Sequence, residues 1–89
     1  MKHSYLEVTY RKGRAIAAYY NLPRQDGDHS ARTEQVGGGL IVDFTSDGRA
    51  IGIEISSPSQ FSLSGLNEVL VGLGMEPVRP DEFTPLEAA

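Results

Sequence analysis

Asp43 and Glu54 are the side chains in this 89-residue sequence whose type and spacing come nearest to a chemical site. Two carboxylates held side by side share a proton, with one pKa forced up, or grip a divalent cation through their oxygens. To reach one surface, the chain must fold back between them. The intervening Thr45-Ser46-Asp47-Gly48 supplies the means. Asp-Gly between β-branched runs is a strong hairpin signal, because Gly takes positive φ without a steric cost. A two-residue turn at Asp47-Gly48 sets Phe44 against Ile51, Val42 against Ile53 and Leu40 against Ile55, all on one face. The opposite face then carries Ile41, Asp43, Ala50, Gly52 and Glu54, with Asp43 facing Gly52 and Glu54 on the diagonal. A four-residue loop over Thr45–Gly48 keeps those faces. A three-residue loop with a Gly bulge shifts the parity and sets Asp43 against Ile51. The competing reading of the two acids is a solvent-facing pair in which Asp43 shapes the turn. Two carboxylates are also few oxygen ligands for a metal.

A second chemical candidate is the basic run Arg11, Lys12 and Arg14, with Tyr5, Tyr10, Tyr19 and Tyr20 nearby. Cations next to exposed rings are the ingredients of single-stranded nucleic-acid binding. Against this, the chain carries a formal net charge of −4, which repels phosphate at long range, and tyrosines in strands usually pack. Nucleic acid is therefore the lesser reading.

The other reactive types lack their contexts. His3 and His29 have no ligand-like spacing, and no serine sits in Gly-x-Ser-x-Gly. Gly37-Gly38-Gly39 precedes a strand rather than a helix N-terminus, so it reads as a turn and not a phosphate cradle. There is no cysteine, hence no disulfide, thiolate metal site or thiol nucleophile. No cofactor is expected, and catalysis has only Asp43 and Glu54 as candidates.

The elements that would position these residues follow from periodicity. Tyr5–Tyr10 alternates and reads as a half-buried strand; Arg11–Arg14 breaks it, and Ala15–Leu22 returns as a second strand. Pro23 ends that strand, and 24–28 is a loop. His29–Val36 is polar, suited to an edge strand, where charges discourage further pairing. After the central hairpin and a Ser/Pro loop, Leu63, Leu66, Val69, Leu70 and Leu73 recur at helical spacing. Ser62 or Ser64 is placed to cap that helix and Gly74 to stop it. The fold class is α+β: a five-stranded antiparallel sheet, a meander of hairpins, with one C-terminal helix across its apolar face. Residues 1–75 form the single domain, and 76–89, with its prolines and acids, an extended or disordered tail whose Phe83 and Leu86 are able to dock on a neighbour.

Charge is uneven. Residues 1–33 hold six cations against three acids, and 34–89 hold two against nine. Such asymmetry marks a nucleic-acid patch, an acidic tail, self-complementary subunits or a mixed solvated surface, the last being the simplest. No apolar stretch has the length of a signal-peptide core or a bilayer span, so a soluble cytoplasmic protein is expected.

Asp43 to Ile55 fits the pattern D-x-x-x-D-G-x-x-x-G-I-E-I. It resembles the signature of a widespread family of small bacterial proteins known as a domain of unknown function. Thr33-Glu34 and Ala17-Ala18-Tyr19-Tyr20 fall where that family has a Thr-Glu step and an early Tyr-rich hairpin. The likeness covers about Tyr5 to Ile55. One departure is Ile16, where the family usually has an acid, so a site relying on that acid is missing here. The resemblance implies a small antiparallel sheet that often self-associates, no established activity, and by analogy an antitoxin-like or accessory role. The expected function is a non-catalytic homo-oligomeric interaction module, most simply a dimer, with a possible further protein partner. A single-stranded nucleic-acid binder using Arg11, Lys12 and Arg14 is the alternative, and a small enzyme or metal site using Asp43 and Glu54 comes third.

Overall fold

A computed structural model describes residues 3–87. Five strands form one antiparallel sheet: β1 (Tyr5–Arg11), β2 (Arg14–Asn21), β3 (Arg32–Gly37), β4 (Leu40–Phe44) and β5 (Ala50–Ile55), in the order β1-β2-β5-β4-β3. Strands β3, β4 and β5 are successive hairpins, as a meander requires. The β1–β2 hairpin, however, joins the far side of β5 rather than the edge of β3. Burial explains the departure. Ala18, Tyr20 and Leu22 of the second strand and its exit are buried and need a central place, whereas every residue of β3 is exposed. A polar strand with one large apolar side chain is tolerated at an edge and wasted in the middle.

The central hairpin combines two of the turn geometries weighed from sequence. Thr45 N–H donates to Arg49 O at 2.9 Å and Gly48, at φ +90°, closes a three-residue loop over Ser46-Asp47-Gly48. That register holds for Phe44 opposite Ala50, and then shifts by one residue. Ile51 is the extra residue, a bulge that restores Asp43 opposite Gly52, Val42 opposite Ile53 and Leu40 opposite Ile55. The bulge corrects the expected Phe44–Ile51 pair. It also turns Ala50, expected on the open face, to pack against the core.

Two helices follow the sheet, α1 (Leu63–Gly72) and the short α2 (Thr84–Glu87), where one was expected. Ser62 Oγ accepts from Gly65 N–H at 3.1 Å and caps α1. Its C-terminus closes with Met75 N–H on Leu70 O and Gly74 N–H on Val71 O, with Gly74 at φ +78°. Leu66 and Leu70 enter the core beside Val42, Ile53 and Ile55.

Residues 76–87, expected as an extended or disordered tail, instead fold back. Asn67 holds the segment through both backbone groups of Val78, at 2.8 and 3.2 Å. A 3₁₀ turn at Pro80–Phe83 and α2 then place Phe83 and Leu86 in the chain's own core. Phe83 stacks on Phe61 at 5.5 Å and tilts against Tyr20 at 5.0 Å. Apolar area decides the matter: so small a domain gains more from burying these rings itself than from leaving them wet. Residues 88–89, the end of the proposed tail, lie outside the described residues. No helix among the described residues is long and apolar enough to cross a membrane.

Candidate functional site

The uncovered face of the sheet carries the polar side chains. Tyr19 of β2 lies opposite Glu54 of β5, and its ring leans over the neighbouring Gly52. A Cβ at position 52 would stand 1.9 Å from the phenol oxygen and 2.2 Å from Cζ, so only glycine leaves room for it. Across that gap the Tyr19 hydroxyl donates to Asp43 Oδ2 at 2.7 Å. Burial of the phenol, and then the Asp43 carboxylate that accepts from it, push the Tyr19 pKa up to about 12, with Arg24 pulling the other way. The phenol therefore stays protonated near neutrality and acts as a donor.

The network continues away from Asp43. Arg24 Nη2 donates to Ile51 O at 2.8 Å, using the carbonyl of the bulged residue, and to Asn21 Oδ1 at 3.3 Å. Buried Asn21 in turn donates to Glu7 Oε1 at 2.6 Å. On this face Tyr19 is thus paired with Asp43, and Arg24, Asn21 and Glu7 with one another.

A second cluster ties the hairpin tip to the loop after β2. Arg49 makes a two-pronged bond to Asp28, at 2.7 and 2.8 Å, and reaches Asp47 at 3.1 Å. Those guanidinium bonds hold the Asp28 carboxyl down at about 2. The Thr45 hydroxyl donates to Asp47, lowering its pKa, and accepts from Arg49 N–H at 3.1 Å. This cluster fastens loop to loop. Both carboxylates are paired to the one guanidinium, and the arrangement is that of a structural clamp.

Asp43 and Glu54 do share the open face, in diagonal positions, since Asp43 faces Gly52 and Glu54 faces Ile41. They do not share a partner. Asp43 is engaged by Tyr19, while Glu54 is exposed and makes no hydrogen bond or ion pair among the described residues. No group of three or more His, Cys, Asp or Glu among the described residues is arranged to hold a metal ion. His3 and His29 are exposed, and His29 Nδ1 lies 3.3 Å from Gly27 O. Gly38-Gly39 forms the β3–β4 turn rather than a ligand cradle.

Arg11, Lys12 and Arg14 sit at the β1–β2 tip, where Lys12 (φ +52°) and Gly13 (φ +78°) form a two-residue turn. A groove of about 780 Å³ opens beside them, closed on its other wall by Ser59, Thr84 and Pro85.

Sequence reasoning missed Tyr19, Arg24 and Asn21 as members of one network. The available signal was Gly52, since a glycine inside a strand often marks a close approach. Which side chain approaches it depends on the β2–β5 pairing, and that is non-local. No protein-family model, curated protein or solved structure matches the chain.

Proposed function

We propose that the protein is a non-catalytic interaction module that works as a homo-oligomer, most simply a dimer formed along the free edge of β1. The observation that carries this reading is the asymmetry between the two edges of the sheet. Both β1 and β3 pair on one side only. Edge β3 is blunted by charge, with Arg32 and Glu34 paired on it and Arg32 lying 4.1 Å over the Phe44 ring. Edge β1 has no such protection. Between Tyr5 and Tyr10 its one charge is Glu7, already engaged by Asn21, and Leu6 and Val8 reach the core only half-buried. A second copy pairing along β1 would satisfy a row of backbone groups and finish burying those two side chains.

The open face supports the non-catalytic part. Its phenol is held protonated and its Asp43 carboxylate is occupied, and Glu54, the remaining carboxylate of the candidate pair, shares no partner with Asp43. The resemblance at Asp43–Ile55 to a self-associating family points the same way. Native mass spectrometry of the wild-type chain and of a Tyr5→Lys/Thr9→Lys variant tests it. Both positions are exposed, and lysine on an edge opposes pairing by repulsion. The expected result is a wild-type dimer and a folded monomeric variant. A dimer that survives the lysines would move the interface elsewhere.

A further inference from the structure

We propose that the groove beside the β1–β2 tip is a binding site for a phosphate ester carrying a flat ring, in the manner of a nucleotide. This goes beyond the interaction reading and does not depend on it. Three observations converge. First, Arg11 stands directly opposite Arg14 in the register, with Lys12 in the turn between them. Like charges directly opposite each other destabilise a hairpin, so this tip carries a local cost.

Second, the cost is not relieved from within. Arg24, Arg32, Arg49 and Arg79 all have protein partners, yet Arg11, Lys12 and Arg14 make no ion pair or side-chain hydrogen bond among the described residues. In a chain of net charge −4, no acid among the described side chains is paired with them. Third, the three cations line a concave groove of about 780 Å³ in whose lining no acid appears among the described residues. That volume is of the size small-molecule sites have. Tyr10, 54 % exposed, is also part of the wall, and Ser59 and Thr84 add hydroxyls opposite. Guanidinium forks match phosphate oxygens, and an exposed phenol ring offers a stacking surface to a base.

Two sources carry this chemistry, a free nucleotide and the residues of a single strand. Calorimetric titration of the full chain at fixed ionic strength with ADP, pyrophosphate and a short oligouridylate separates them. Saturable binding of ADP, weakened about tenfold or more by Arg11→Ala/Arg14→Ala, supports a free-nucleotide site when the oligonucleotide binds no tighter. Tighter oligonucleotide binding with a steep salt dependence supports a strand. Tyr10→Ala should weaken ADP and the oligonucleotide and leave pyrophosphate unchanged. The arginine variant should also melt about 1–3 °C higher than wild type without ligand, because it removes a like-charge pair. The proposal is overturned if no probe binds saturably at millimolar concentration, or if the arginine variant binds as wild type does. A lower melting temperature for that variant would also overturn it, since the arginines would then be serving the fold.

Discussion

Gly52 is useful for the space it leaves. In most strand positions Gly→Ala stabilises, because alanine has less backbone freedom to lose. Here the added methyl would meet the Tyr19 phenol, and the ring would have to leave Asp43. Gly52→Ala should therefore cost about 1–3 kcal/mol in urea denaturation. In a Tyr19→Ala background the same change should be neutral or stabilising, a reversal of sign that a generic glycine effect would not give. The Tyr19 ionisation offers an independent check. Its folded-state pKa, about 12, lies above the ordinary tyrosine value of 10.0. The neutral phenol is thus the form the fold favours, and its contribution is fully present below about pH 10 and lost as pH rises through about 12. Ultraviolet difference titration of wild type against Tyr19→Phe should place the missing step near 12; a step near 10 would mean that the phenol is neither buried nor bonded to Asp43.

At the scale of the elements, the C-terminal segment behaves as part of the domain. Phe83 is fully buried between Tyr20 and Phe61. Phe83→Ala should cost about 3–5 kcal/mol, a large share of what so small a domain has, and equilibrium unfolding would show it. A near-neutral result would detach residues 76–87 from the core. This segment also shows what the sequence could not disclose. Leu40, Val42, Ile53 and Ile55 alternate in the chain and alternate in the sheet, because hairpin pairing is local and period-two. The helix at Leu63–Gly72 and its Gly74 stop were legible because helical spacing is local too, while its cap stood open between Ser62 and Ser64 until the structure placed it at Ser62. Phe83 and Leu86 stand among prolines and acids without a period, and only the vacant area on the sheet face determines where they go. The Tyr19–Asp43 contact was hidden likewise, since β2 meets β5 after a long excursion of the chain. Ile51 illustrates a third kind of limit. Its bulge is set by the competition between a three-residue loop at the tip and the hydrophobic pairing below it, and neither stretch alone shows the compromise.

At the scale of the whole molecule, the sheet is finished on one face and at one edge and left incomplete elsewhere. Helices and the C-terminal turn cover the side bearing Val42, Ile53 and Ile55. Charge guards β3, and on the open face Tyr19 is paired with Asp43 and Asn21 with Glu7. The edge of β1 is what remains, with no free charge between Tyr5 and Tyr10 and backed by half-buried Leu6 and Val8. Sedimentation velocity of the full chain across a concentration series tests the central claim most directly. The account predicts a boundary that moves from the monomer to the dimer value as concentration rises. A single monomer boundary persisting at high micromolar concentration would contradict it.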